Sequence, residues 1–518
     1  MSTGIRVRFA TVVLLLTEVY AFLMAIAFNL IVVRKLDPYS YGLWTTILSI
    51  YVPLWSIPGL WLWWISRFVA YGDREAASTG LFLNIVFASI AIPVYLVVSV
   101  AYSHRLGEAL TCFLLMIPLA IADTYFHYLR AIVSVLKPEL LSIYRLVYET
   151  SRVAIAFVTV VMLGLGVYGA ILSMVIALIL SLSTWGIYVA RKLSIALRPR
   201  LRKDVIAKIR RGIIIPTINT IASFLMGLDR AIATALTGNT IISAYLGFAL
   251  IPKNVVIRTL YAFTAPIYAK ALRQPSLRDL LDVILIYTTI ALPLAITVFS
   301  FPHTVVVLLN PRYLDAESLI VVATINAYLL AVSSILSSFA IGSSHEDAYG
   351  CRQKELVHSP LLKIPLANLV RVITTIISYI AILYMFYGIW SVPTVTLSMM
   401  IVESIGLTMY IAYIVYVIHR RIYVPDKRSI HEYVRDFITV IIAAIAMATA
   451  LRLAVSLFPI HEGVFFETAM QIIIVSTPGL IVYAVMVLTL TQRVKMLISM
   501  MVKRILSLKK FSFLEADS

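Results

Sequence analysis

Runs of mainly apolar residues, each about as long as the 20 residues a helix needs to cross a bilayer, recur about fourteen times along this 518-residue chain. They lie near 10–33, 42–65, 80–101, 110–131, 144–164 and 168–190, then 213–237, 241–266, 280–301, 317–342, 364–386 and 390–416. A last pair lies near 437–458 and 466–490. Inside hydrocarbon a backbone N–H or C=O must find its partner in the protein, so runs of this length are helices. Outer-membrane strands would show short alternating segments instead. Composition agrees: 61% of the residues are hydrophobic and 13% charged, whereas a soluble domain carries about 25% charged residues. The expected class is an all-α polytopic membrane protein with about 14 transmembrane helices.

Arg6 and Arg8 precede the first run, and Ala25-Ile26-Ala27 resembles a peptidase site. The apolar stretch from Ala10 to Val33 is longer than the roughly 7–15 residues of a signal core, so it reads as an uncleaved first helix.

The net charge of +18 is best explained by topology. With the N-terminus inside, the inner loops hold Arg67, Arg74, Lys137, Lys270, Arg273, Arg278, Arg352, Lys354 and Lys363, then Arg420, Arg421, Lys427, Arg428 and Arg435. The outer loops hold only Arg34, Lys35, Arg105 and Arg312. That bias places both termini in the cytoplasm of a cell (plasma) membrane protein and removes any need for a nucleic-acid partner. The densest inner stretch, Arg191–Gly212, sets nine Lys and Arg against Asp204 alone. It reads as a cytoplasmic strap between two membrane-embedded halves, attracted to anionic headgroups.

The organisation expected is an N-terminal six-helix bundle over 1–190, the basic linker over 191–212 and a C-terminal six-helix bundle over 213–416. An extra helix pair follows over 417–490, then a basic amphipathic cytoplasmic tail over 491–518. A loose repeat relates the first hairpin, VVRKLDPYSYGLWTTILSI, to ATALTGNTIISAYLGFALI in the seventh and eighth runs. Outer loops are short, so a large external catalytic loop is missing, and Trp63-Trp64 reads as an interfacial aromatic anchor. Cys112 and Cys351 make no framework, and the histidines at 104, 303, 345, 358, 419, 431 and 461 scatter across loops without metal spacing. No nucleophile triad, phosphate loop or redox pair is present, so no enzyme activity and no cofactor are expected, with proton or sodium coupling left open.

Three stretches carry a family resemblance. Arg34-Lys35-Leu36-Asp37-Pro38-Tyr39-Ser40-Tyr41-Gly42-Leu43 stands between the first two runs, and Gly59-Leu60 with Ser66-Arg67-Phe68 ends the second. Leu228-Asp229-Arg230 is followed by Tyr245 and Pro266. Together they resemble the polysaccharide flippase branch (Wzx-like members) of the multidrug/oligosaccharidyl-lipid/polysaccharide exporter superfamily. The resemblance implies two pseudo-symmetric six-helix bundles around a cavity that opens alternately to each side. It also implies carriage of a polyprenyl-diphosphate-linked oligosaccharide or a related lipid-linked glycan, with glycan-assembly enzymes as candidate partners and a monomer as the expected state. A cation-coupled multidrug or small-molecule antiporter of the same superfamily is the alternative.

Ionisable residues within the spans are the site candidates, because they are costly in lipid. Asp123, His127 and Arg130 share one helix face, and Arg145, Glu149 and Arg152 repeat the spacing on the next helix. The two stripes read either as a hydrated seam or as mutually neutralising pairs. For a diphosphate, Lys253, Arg258 and Arg371 are the expected cationic patch, joined by Arg152 and Arg130. Lys253 stands out because no acid on its own helix neutralises it. Asp229, Glu18, Asp123, Glu149 and Glu403 are the candidate ion-coupling carboxylates; Asp229 has the alternative of fastening the C-terminal bundle by an ion pair. The topology is checked by cysteine labelling: a thiol introduced at Arg198 should react only from the cytoplasmic side, and one at Gly388 only from outside.

Overall fold

A computed structural model of the chain describes residues 7–106, 110–137, 140–193, 198–344, 359–421, 427–458, 465–497 and 499. Each of the fourteen apolar runs is helical, and there is no strand among the described residues. The first half holds α1 (Val7–Lys35), α2 (Pro38–Ser56), α3 (Gly59–Ala70), α4 (Ala76–Leu106), α5 (Leu110–Leu114) and α6 (Met116–Leu136). It continues through α7 (Leu140–Ala156), α8 (Gly166–Ser181), α9 (Ile187–Leu193) and α10 (Lys203–Gly212). Next come α11 (Ile214–Gly227), α12 (Asp229–Thr237), α13 (Ile241–Arg273), α14 (Leu277–Ser300), α15 (Pro302–Leu309) and α16 (Glu317–Gly342). The chain closes with α17 (Pro360–Phe386), α18 (Val392–Arg421), α19 (Lys427–Leu457) and α20 (Phe465–Leu490).

Among the described residues nine helices are long and apolar enough to cross a bilayer, and α2 with α3, bent by 41°, makes a tenth if counted as one span. The expected runs outside that set coincide with α1, α7, α11 with α12, and α13. α7 carries Arg145, Glu149 and Arg152, which lower its apolarity, and Leu228 divides α11 from α12. The basic tail expected over 491–518 lies outside the described residues from 500 onward, as do Cys351, Arg352 and Lys354.

The chain divides into two compact units, residues 1–248 with 368–396, and residues 249–367 with 397–518. In the first unit α2 is the central strut. Its buried Trp55 donates from the indole to the Ala120 carbonyl at 3.0 Å and stacks on Tyr51 with ring centres 4.8 Å apart. Asn84, fully buried, accepts from Trp61 Nε1 at 2.6 Å and donates to the Thr124 carbonyl at 3.0 Å, tying α3, α4 and α6.

Along its other face α2 meets α11, α12 and the start of α13 without bulky side chains between them. A Cβ placed on Gly42 would overlap the Thr240 carbonyl, on Gly247 the Thr45 methyl, and on Gly227 the Pro53 ring. Helices in lipid gain little from burying apolar groups, so close backbone approach and interhelical hydrogen bonds hold them together. Both occur here. Thr46 Oγ1 lies 2.8 Å from Thr234 Oγ1, which lies 2.6 Å from Ser243 Oγ, and Ser49 Oγ accepts from the Ala231 N–H at 2.8 Å.

The end of the basic linker is helical. Residues 203–212 form α10, whose Val205 and Ile209 are buried while Lys203, Lys208 and Arg210 are exposed. The segment before it is bonded to the start of α4: the Arg200 N–H donates to the Ser78 carbonyl at 3.2 Å, and the Arg202 N–H to Thr79 Oγ1 at 3.2 Å. Arg202 also reaches Asp73 at 2.7 Å and Asp204 at 2.6 Å. The hydrogen bond to Asp204 foremost raises the guanidinium's pKa above its ordinary value, and Arg202 in turn holds the Asp204 carboxyl below the usual range.

In the second unit the C-terminal pair α19–α20 packs through Ala443, Ala444, Met447 and Leu451 against Val475, Tyr483 and Val487, with Leu285 of α14 in the same core. Tyr483 donates to the Thr289 carbonyl at 3.0 Å, and Tyr433 donates to Asp282 at 2.7 Å, so both α19 and α20 are bonded to α14. The Arg493 guanidinium lies 3.9 Å over the Tyr433 ring. The outer surfaces of both units are apolar, as at Val97, Ile377, Ile445 and Ile473, which a lipid environment satisfies and water would not.

The glycine contacts make a direct prediction. Gly42→Ala should lower stability by about 1–3 kcal/mol, read as a lower unfolding temperature in detergent. Gly59→Ala, whose Cβ would meet nothing within 4 Å, should not lower it.

Candidate functional site

Two buried polar clusters, one in each unit, hold Asp123, Glu149 and Arg152, and Lys253 and Glu403. In the first unit the cluster lies among α2, α6 and α7. Asp123 accepts a short hydrogen bond of 2.5 Å from Tyr51, while Arg130, seven residues along the same helix, is exposed. Arg152 pairs with Glu149 at 2.5 Å, both side chains being largely buried. Its guanidinium lies 4.3 Å over the Phe28 ring and 5.2 Å from that of Tyr148. Tyr144 stacks on Phe126 at 4.2 Å and on Tyr148 at 5.6 Å, so aromatic faces surround the charges. The neutralising arrangement thus forms on α7, whereas on α6 the acid finds a phenol in place of Arg130. No spacing rule within α6 or α7 points to Tyr51, because it arrives from a helix 72 residues earlier.

In the second unit, Lys253 of α13 and Glu403 of α18 form an ion pair of 2.7 Å with both residues buried. Asn326 of α16, fully buried, donates to Glu403 Oε2 at 3.2 Å and to the Met400 carbonyl at 3.0 Å. Ser404 donates to Asn326 Oδ1 and to the Met400 carbonyl. A charge pair in so apolar a setting persists only when further hydrogen bonds satisfy its remaining atoms, and Asn326 supplies one. Lys253 is therefore not an uncompensated cation: its acid stands on another helix, 150 residues further along the chain. Asn326 was missed, although a lone amide inside an apolar run was a visible signal.

The other candidates are placed separately. Arg371 on α17 belongs to the first unit, where its Nε and Nη2 donate to Asn368 Oδ1 at 3.1 and 3.0 Å; Lys253 belongs to the second. Asp229 opens α12 and binds its neighbour, with Arg230 Nε at 3.2 Å and the Arg230 N–H at 2.8 Å from the same oxygen. Among the described residues Asp229 pairs with no more distant base. The side chains of Glu18 and Arg258 lie outside the described residues. Among the described residues no group of three or more His, Cys, Asp and Glu is arranged to hold a metal ion.

The fold defines a class: a polytopic helical membrane protein. No family model matches the chain, and no curated protein does either. Among solved structures, the lipid II flippase MurJ in an inward closed conformation is similar over 93% of this chain and 98% of its own, with TM-score 0.63 and 12% identity. An inward-facing multidrug resistance MATE family transporter of the MOP superfamily is similar over 78% and 96%, with TM-score 0.58 and 12% identity. A MATE protein in complex with MaL6 gives 81% and 99%, TM-score 0.53 and 14% identity. What is shared at such identities is the fold.

The buried pair makes a double-mutant prediction. Lys253→Met or Glu403→Met alone should cost about 3–5 kcal/mol by leaving one charge uncompensated, and the double variant should recover most of it. Thermal unfolding of the four proteins in one detergent reads this out.

Proposed function

We propose that this protein is a Wzx-like flippase, carrying a polyprenyl-diphosphate-linked oligosaccharide or a related lipid-linked glycan across the cytoplasmic membrane by alternating access. The observation that carries the reading is the extent of the likeness to the lipid II flippase. A match over 93% of the chain leaves too few residues to omit the C-terminal pair α19–α20, whereas the multidrug transporters match 78% and 81%. A carrier of a long lipid has use for helices beyond those that suffice for small molecules.

In this reading Lys253 leaves the substrate set, since Glu403 compensates its charge. The remaining candidates for diphosphate contact are Arg371 and Arg130 of the first unit and Arg258 of the second, because a guanidinium binds paired oxygens better than an ammonium, whereas Arg152 is held by Glu149 as Lys253 is by Glu403. Asp123, Glu149, Asp229, Glu18 and Glu403 remain the carboxylates for proton or sodium coupling. Glycan-assembly enzymes are the proposed partners.

The cation-coupled antiporter is the second reading, and one observation favours it: Glu403 is a carboxylate held by an amide and an ammonium rather than by a phosphate-binding cluster.

Complementation separates the two. In a strain lacking its glycan flippase, the wild-type gene should restore surface glycan, and Arg371→Ala or Arg258→Ala should reduce it at least tenfold at equal expression. Failure to complement together with raised resistance to cationic drugs would establish the second reading instead.

A further inference from the structure

α3 ends in Trp63, Trp64, Arg67 and Phe68, and Tyr71 follows it. Residues 63, 67 and 71 are four apart, so they lie along one helix face. All three are exposed, Tyr71 by 86%. The Arg67 guanidinium sits 3.7 Å over the Trp63 ring and 5.8 Å from that of Trp64. Trp63 and Trp64 are 4.7 Å apart centre to centre, and Trp64 and Phe68 6.2 Å. Lys208 of α10 closes the row, its ammonium 5.7 Å from the Phe68 ring. An aromatic ribbon therefore carries a cation at each end.

The cations are available to a partner. Among the described residues neither Arg67 nor Lys208 has an ion pair, because the nearby acids Asp73, Glu75 and Asp204 are gathered on Arg202. Residues 67–75 and 198–210 together hold eight Lys and Arg against three Asp and Glu, a net +5. Burial of Val205 and Ile209 fixes which face of α10 carries its exposed bases. This end of α3 is the one that the Lys and Arg bias assigns to the cytoplasm.

We infer that the α3–α10 corner is a binding site for an anionic phospholipid headgroup of the cytoplasmic leaflet, its phosphate between Arg67 and Lys208. Charge complementarity requires an anion, and the exposed indole and phenol beside the cations require a ligand with an apolar body next to its charge. Tryptophan and tyrosine settle at the depth where headgroup meets acyl chain. A free phosphate matches the cations and leaves the aromatic stripe in water. The consequence is that the lipid would hold α10, already latched to α4 through Arg202, against the bilayer surface.

The test is thermal unfolding of the full chain in nanodiscs of phosphatidylcholine alone and with phosphatidylglycerol at one third. The wild type should unfold at a higher temperature with phosphatidylglycerol, and the gain should shrink as salt rises and the Debye length falls. Arg67→Gln with Lys208→Gln should remove most of the gain, while Arg312→Gln, on a loop assigned to the outside, should keep it. Counting lipids retained in native mass spectrometry should give about fivefold weaker phosphatidylglycerol binding per base removed, the equivalent of about 1 kcal/mol. Equal unfolding temperatures for the wild type in the two lipids at low salt would overturn the inference. So would a full gain in the double variant, or reproduction of the gain by millimolar inorganic phosphate in phosphatidylcholine. Should the double variant not fold, brominated phosphatidylglycerol must still quench wild-type tryptophan fluorescence more than brominated phosphatidylcholine, and equal quenching overturns the inference as well.

Discussion

Hydrocarbon offers no hydrogen bonds, and the rest of this structure follows from that lack. Every backbone group in a span has to be satisfied within the protein, which leaves helices as the solution for a chain of this composition. Side chains obey the same rule. Hydroxyls at Thr124, Ser181, Thr324 and Thr408 return to the carbonyl four residues earlier, each satisfying itself on its own helix. Polar groups that cannot do this, such as Asn84, Asn326, Lys253 and Glu403, are drawn to one another or to a neighbouring helix. They become the points at which helices are tied.

Apolar surface can pack against lipid as well as against another helix, so hydrophobicity alone does not choose partners. Shape and hydrogen bonds choose them instead. The α2 seam shows both, with Gly42 and Gly247 admitting close backbone and Thr46, Thr234 and Ser243 forming a chain of hydroxyls. The α19–α20 pair uses small residues in the same way, Gly479 lying against Leu451. Little of this depends on particular large side chains. That explains how a fold can be held in common with a lipid II flippase and with multidrug transporters at 12–14% identity.

The same economy explains which parts of the site could be read in advance. Arg152 with Glu149 was legible, because a helix puts residues three apart on one face. Asp123 is recognisable along its own helix as a residue under constraint, yet its partner Tyr51 stands on another helix and belongs to a residue type abundant in this chain. The acid that meets Lys253 is hidden for the same reason, since the sequence along α13 does not contain Glu403. The linker was legible as charge but not as structure: Val205 and Ile209 gain burial only where α4 offers the Ser78 carbonyl and the Thr79 hydroxyl to hold the strap in place.

The sequence by itself determined the secondary structure, the helical runs and the loops that gather positive charge, because those depend on transfer into lipid and on hydrogen bonds closed within a few residues. Only the tertiary structure decided which ionisable groups remain unpaired. Charge compensation across helices depends on distance in space, and Lys253 and Glu403 are 150 residues apart in the chain and 2.7 Å apart in the fold.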